Sequence, residues 1–399
     1  MAKRRSWWSN AALRQAIALT EGGGVSLLNL FRNGEDGFLF YPMSDLTRLF
    51  LLSNGSTGNA AVDTDPVGLD LDNHSWGDGV SLASVLAAAT ELLVPGSWTM
   101  SVVGGTSTAT ESPAGTLTLV PDGTNASRGD QSFTTVVGKT YRVIATVATS
   151  ASAIQIGTAA GGTQNGTNTF NVGSNIFYFV ATATTTYIRF IKTSAATSVI
   201  SAISCKLVPG NHAPQATTTK RPLWNANGGK PYLAPDASDD ALVTPFLPPA
   251  ACTLAVACRF PATDATGRVV IGGGSSAGSK RCFIGKNDTS GKAAVGWGSE
   301  TLVTNSGFGA DLGVADHVII LTGDAVTRDL WIDNALVDSR APTGGPDGTG
   351  GGLALACFNN NGVQGQFMGG RLYSALALNR RVTPSEIAII TSQFQRTYQ

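Results

Sequence analysis

Asp329-Leu330-Trp331-Ile332-Asp333-Asn334-Ala335-Leu336-Val337 is the stretch on which the reading of the fold turns. Two short apolar runs of strand-forming residues flank a central Asp-Asn pair. Such a pair fits a tight two-residue turn, because Asn tolerates positive φ. The stretch therefore predicts a β-hairpin, with Leu330-Trp331-Ile332 returning along Ala335-Leu336-Val337.

Strand-like runs recur on both sides of this hairpin, at Leu254–Phe260, Arg268–Ile271, Arg281–Ile284, Val318–Leu321, Leu353–Phe358 and Gly370–Leu378. Short runs separated by turn residues at this spacing predict a β-sandwich. After the last of them, Thr383 stands in N-cap position, Pro384 follows, and Glu386 occupies the third helical position. That is a capping box, and it opens a terminal helix over Ile387–Phe394. Pro209-Gly210 punctuates the start of this unit, which spans residues 210–399.

A second unit, residues 95–209, shows period-two alternation in Thr116–Val120, Tyr141–Val147, Ile176–Val180, Tyr187–Ile191 and Val199–Leu207. Pro121-Asp122-Gly123, Val137-Gly138-Lys139 and Gly161-Gly162 supply the turns between them. Residues 1–94 differ. Asn10 can cap a helix over Ala11–Thr20, and Ser26–Phe31 is a short apolar stretch. Phe38, Phe40 and Tyr41 read as extended, Leu46–Leu52 as another short element, and Ser81–Leu93 as the best helix of the chain. Such small apolar pieces cannot bury one another well, so they are expected to dock on a partner or on another copy, with a modest self-contained subdomain as the alternative. The predicted fold class is mainly β: two consecutive antiparallel β-sandwiches of jelly-roll type, preceded by a small, partly helical N-terminal region.

Composition agrees. Charged residues make up 14% of the 399, glycine numbers 48, and formal net charge is zero. A neutral chain has no general basic field for nucleic acid; Lys3-Arg4-Arg5 is the one local exception. No run of 18 apolar residues occurs, so no membrane insertion is expected. The polar Ser9–Gln15 that follows the arginines argues against a signal peptide. The five cysteines (Cys205, Cys252, Cys258, Cys282 and Cys357) form no C-x-x-C pair, and buried thiols are expected.

The Asp329–Val337 hairpin resembles the strand–VDG–strand hairpin of concanavalin/laminin-G-like domains, with Asn334 where that family usually has glycine. Phe367-Met368-Gly369-Gly370-Arg371-Leu372-Tyr373 through Arg381-Val382-Thr383-Pro384-Ser385-Glu386-Ile387 is similar to that family's closing segment. Gly210-Asn211-His212-Ala213-Pro214-Gln215-Ala216-Thr217 with Arg221-Pro222-Leu223, and Tyr232–Asp240, resemble a lead-in to such sandwiches in bacteriophage and prophage virion proteins. Tyr41–Phe50 and Asp65-Pro66-Val67-Gly68-Leu69 resemble an upstream element of the same proteins. The middle unit, with Trp98, Gln131-Ser132-Phe133 and Gly138-Lys139-Thr140-Tyr141, looks like a carbohydrate-binding-module jelly roll inserted between the two elements. The resemblance begins near residue 40.

It implies a virion structural protein of tail-fibre or appendage type, made in the host cytoplasm. Residues 1–94 would attach to other virion proteins and the sandwiches would face a host surface polysaccharide. It also implies a homo-oligomer, a trimer before others, although no heptad repeat enforces one. A dedicated receptor-binding adhesin is the alternative, and a glycan-degrading enzyme the weaker one. Glycoside hydrolysis needs two carboxylates flanking the bond. Glutamates are scarce here and no such pair stands out, so no enzyme is expected. No G-x-S-x-G, H-E-x-x-H or P-loop occurs either, and the histidines His74, His212 and His317 read as structural or local.

Glycan binding calls for aromatic platforms. Trp98, Trp224, Trp297 and Trp331 are the candidates, Trp297 because Gly296 and Gly298 leave it without bulky neighbours; Asn359-Asn360-Asn361 is a polar loop that could reach hydroxyls. For each, a core or turn role is the competing and weightier reading. Calcium is the one cofactor the laminin-G resemblance implies, through Asp236, Asp239 and Asp240 in one loop, with a solvated turn as the alternative. Arg128-Gly129-Asp130 is read as a chance tripeptide.

Overall fold

The computed structural model describes residues 26–31, 33, 35–41, 49–50, 67, 69–70, 82–215, 217–225, 230–261, 268–275, 280–287, 290–298 and 308–399. The Ala11–Thr20 helix, the Lys3-Arg4-Arg5 cluster and His74 lie outside them. The fold is mainly β, as expected, and its larger sheets are antiparallel.

The middle unit is two five-stranded sheets. One runs Gly166–Phe170, Ser152–Gly157, Thr185–Lys192, Ser127–Thr134, Thr99–Val102; the other runs Gly173–Val180, Thr140–Val147, Ser198–Val208, Leu117–Val120, Thr108–Glu111. Alternation decides which residues meet between them. Tyr141, Val143, Ala145 and Val147 point inward to join Ile154, Ile156, Ile188 and Phe190, while Arg142, Ile144 and Thr146 face out. The best predicted helix is shorter than expected, Leu82–Ala88, and lies against Ser198–Val208, where Lys206 Nζ donates to the Leu86 carbonyl at 2.8 Å.

The third unit stacks an eight-stranded sheet on a six-stranded one. The larger runs Leu223–Asn225, Tyr232–Ala234, Arg371–Leu378, Cys252–Arg259, Asp316–Gly323, Arg328–Ile332, Ala335–Arg340. The smaller runs Leu242–Val243, Gly351–Leu355, Arg268–Ser275, Lys280–Lys286, Lys292–Gly298, Phe308–Asp311. Cys252–Arg259 is buried on both faces because each face has a cover. Leu254, Val256 and Cys258 join the core between the sheets, and Ala255 and Ala257 join a second core under the terminal helix, Pro384–Gln395. The predicted turn has Asp333 at φ +49° and Asn334 at φ +68°, as a type I′ hairpin requires. The capping box forms as predicted, with Glu386 N–H donating to Thr383 Oγ1 and Thr383 N–H to Glu386 Oε2. All five cysteines are buried and free.

The N-terminal region does not stand apart from this sandwich as the boundary at residue 94 supposed. Gly37–Phe40 is the strand that pairs with Arg371–Leu378 in the eight-stranded sheet, Phe38 opposite Ala377 and Phe40 opposite Ala375. Phe38 and Phe40 enter the inter-sheet core, and Leu39 enters the outer one together with Leu27, Leu30 and Phe31 of a short 3-10 turn, Leu27–Phe31. Arg380 fixes this segment by bonding Leu30 O at 3.1 Å and Glu35 Oε1 at 3.2 Å. Two of the apolar pieces, Leu27–Phe31 and Gly37–Phe40, therefore find a partner in their own chain.

Leu46–Leu52, expected as one short element, contains the strand Leu49–Phe50, which pairs with Leu69–Asp70; that strand in turn pairs with Ala213–Pro214. Asn211 Nδ2 donates to Asp36 Oδ1 at 2.8 Å and to Gly37 O, and Val67 N–H donates to Pro222 O at 2.9 Å. The two lead-in segments that flank the middle unit in sequence thus meet in space. The middle sandwich is an insertion between them.

Candidate functional site

Trp98, Trp224 and Trp297 serve the core and not a surface platform. Trp98 is buried against Phe190, ring centroids 5.8 Å apart, and Trp224 and Trp297 are buried completely. Trp297 is the instructive correction. A Cβ on Gly323 or Gly345 would come within 3.0 Å of its ring, so small neighbours make room for an indole in the core instead of leaving it in solvent. Asn359 is also buried, and its amide is consumed locally: Nδ2 donates to Gly352 O at 2.8 Å and Oδ1 accepts from Gly362 N–H at 2.9 Å. Asn360 ends the strand Phe358–Asn360 and Asn361 takes φ +51° in the turn to Val363–Gly365, with its N–H on Gly274 O. The triplet closes a hairpin, and of its three side chains that of Asn359 is spent within the turn. Arg128-Gly129-Asp130 lies inside a strand, with the Asp130 carboxylate bound to Arg189 at 2.7 Å.

Trp331 differs from the other three. It sits on the outer face of the eight-stranded sheet, half-buried, beside the first turn of the terminal helix. Strand alternation places Asp329 on the same face. Together with Arg381, Val382, Thr383, Pro384 and Ile387 these two residues line a cavity of about 340 Å³. That volume lies within the ~300–1,000 Å³ range of small-molecule sites. Its walls divide by chemistry, with the indole, Val382, Pro384 and Ile387 apolar, and Asp329, Arg381 and Thr383 polar. Arg381 bonds Asp329 Oδ2 at 2.5 Å and reaches Asp324 Oδ2 at 3.4 Å, so cation and carboxylate are held in place before any ligand arrives. The sequence named Trp331 but not its neighbours. The R-V-T-P run reads as a helix cap, and nothing local says that the cap faces an indole across a cavity.

The three aspartates do come together. One carboxylate oxygen each from Asp236, Asp239 and Asp240 lies within 4.8 Å of the others. Hard oxygen donors so spaced suit a divalent cation such as calcium. Asp240 is buried, and burial first, then the charges of Asp236 and Asp239, push its carboxyl up to about 6 despite a bond from Asp236 N–H at 2.9 Å. The folded chain therefore holds this proton more tightly than the unfolded chain does. By linkage, stability falls as pH rises from about 4 to about 6, by roughly 2–3 kcal/mol, and is flat above that. In metal-free buffer, Asp240→Asn is expected to remove that fall and to raise the neutral-pH unfolding midpoint. Millimolar calcium is expected to raise the wild-type midpoint and not the variant's. A wild-type midpoint indifferent to calcium would leave the loop as a solvated turn.

The fold and these two sites define a two-sandwich β protein with a ligand-sized cavity on one outer sheet face. No family model and no curated protein matches the chain. Among solved structures it is similar to the CBM40 module of a Ruminococcus gnavus IT-sialidase, at 10% identity over 35% of this chain and 82% of that one, TM-score 0.28. It is also similar to NanB sialidase from Streptococcus pneumoniae, at 13% identity over 36% of this chain and 24% of that one, TM-score 0.27. A mutant Trypanosoma rangeli sialidase matches at 10% identity over 56% of this chain and 43% of that one, TM-score 0.30. At these identities and TM-scores the likenesses assign this chain neither a family nor a ligand.

Proposed function

We propose that this chain is a non-catalytic glycan-binding appendage subunit of a bacteriophage particle: a fibre, spike, collar or decoration protein that holds a host surface polysaccharide. The observation that carries the glycan half is the Trp331 cavity. An indole wall meets the C–H face of a pyranose, and a fixed Arg381–Asp329 pair with Thr383 at the rim offers donors and acceptors to its hydroxyls. Catalysis is not part of the proposal. The Asp329 carboxylate is taken up by its ion pair with Arg381. The particle half rests on the resemblance of the lead-in segments to those of virion proteins.

Two measurements test the two halves separately. On an array of bacterial envelope glycans, the full chain is expected to bind a subset, and Trp331→Ala to lose roughly tenfold in affinity with its fold intact, or about 1.4 kcal/mol. Equal binding by wild type and variant would remove the cavity from the account. A chain lacking residues 1–25 keeps the Gly37–Phe40 strand. It is expected to fold and bind glycan but not to join particles, and normal incorporation would place attachment elsewhere.

A further inference from the structure

We propose that a second cavity, on the middle sandwich, takes the carboxylate end of an acidic sugar; this rests on the glycan-binding reading and names a ligand class for a site separate from Trp331. The cavity measures about 230 Å³ and lies between the helix Leu82–Ala88 and the outer face of the strands Thr140–Val147 and Ser198–Val208. Ala83, Leu86 and Ala87 wall it from the helix, and Arg142, Ile144 and Lys206 from the sheet.

Strand register makes the polar part. Lys206 pairs with Arg142 across one strand boundary and Arg142 with Tyr178 across the next. Cross-strand partners share a face, so the two cations stand side by side. Side-by-side cations repel, and no ion pair with a carboxylate relieves Arg142 or Lys206 among the described residues. Lys206 spends one of its three donors on the Leu86 carbonyl. Arg142 Nε is buried with no acceptor among the described residues, which leaves the guanidinium with bonding capacity to spare. Glu91, which bonds the lining residue Ser204, also accepts from Cys205 N–H at 2.7 Å, so the backbone fixes it in place.

Two adjacent cations in so small a space suit one carboxylate. Ile144, Leu86 and the two alanines around them suit the C–H face of the sugar that bears it, and give a bare inorganic anion nothing to contact.

The test titrates the full chain with sodium D-glucuronate, D-glucose and inorganic phosphate, read by saturation-transfer NMR for the sugars and by calorimetry for all three. Glucuronate is expected to bind saturably, more tightly than either competitor. Its affinity should fall at least tenfold in Arg142→Gln and weaken as salt rises from about 50 to about 500 mM, because partly exposed charges are screened. The loss on Arg142→Gln should be equally large in a Trp331→Ala background, which separates this site from the other. Glucose binding equal to glucuronate, phosphate binding equal to glucuronate (a bare anion site), or an Arg142→Gln variant that binds as wild type would each overturn the proposal.

Discussion

A chain that begins at residue 42 should fail to fold its third unit. The truncation removes Phe38, Leu39 and Phe40, all buried, along with Leu27, Leu30 and Phe31 of the outer core. Loss of one buried large side chain costs about 2–5 kcal/mol, and a domain's net stability is only about 5–15 kcal/mol. Removing the strand also exposes the backbone edge of Arg371–Leu378, an invitation to aggregate. The middle sandwich has its own core and should survive. Calorimetry is therefore expected to show only the middle unit's transition, with the rest proteolysed or precipitated. A chain beginning at residue 26 should unfold like the full protein. A milder form of the same experiment is Gly37→Val, since even a Cβ at that position would lie 2.1 Å from Ala377 O. Wild-type unfolding by the residue-42 truncation would mean that the strand is dispensable.

Trp297→Ala should cost about 3–5 kcal/mol of stability and leave glycan binding unchanged. The indole is fully buried among Val295, Leu321 and Leu330 in the inter-sheet core, and truncating it leaves a cavity that the surrounding strands can close only in part. Denaturant titration measures the cost, and the glycan array measures the rest. The comparison with Trp331→Ala is the sharper result, because two tryptophans of one domain should divide stability and binding between them. Loss of glycan binding in a folded Trp297→Ala chain would contradict that division.

The hairpin at Asp333-Asn334, the capping box at Thr383 and the alternating strands of the middle unit were legible because each is set by residues a few positions apart. The Asp236, Asp239, Asp240 cluster was legible for the same reason. Long-range pairing was not. Gly37-Phe38-Leu39-Phe40 is a continuous apolar run, which fits a strand covered on both faces but names no partner. Its partner, Arg371–Leu378, lies near the other end of the chain. The exposed reading of Trp297, the lighter of its two, failed for a related reason. Glycines beside a tryptophan suggest exposure when read along the chain, whereas the fold uses small residues to admit a bulky ring from another strand. A Cβ on Gly296 would meet the Phe283 ring at 2.2 Å. Asn359 looked available because its sequence neighbours are polar, and the carbonyl and amide that consume it come from Gly352 and Gly362 around the turn. The Trp331 cavity combines a strand with a helix cap, so only the indole could be named in advance.

The central claim is that Trp331 is the glycan-contacting tryptophan. It is tested most directly by following the indole N–H resonances of the full chain in nitrogen-15 NMR, while oligosaccharides released from host lipopolysaccharide and capsule are added. The account predicts a saturable shift of the Trp331 resonance, assigned by its absence in Trp331→Phe, with the buried Trp98, Trp224 and Trp297 resonances in place. A Trp331 resonance that stays fixed across the panel would contradict it.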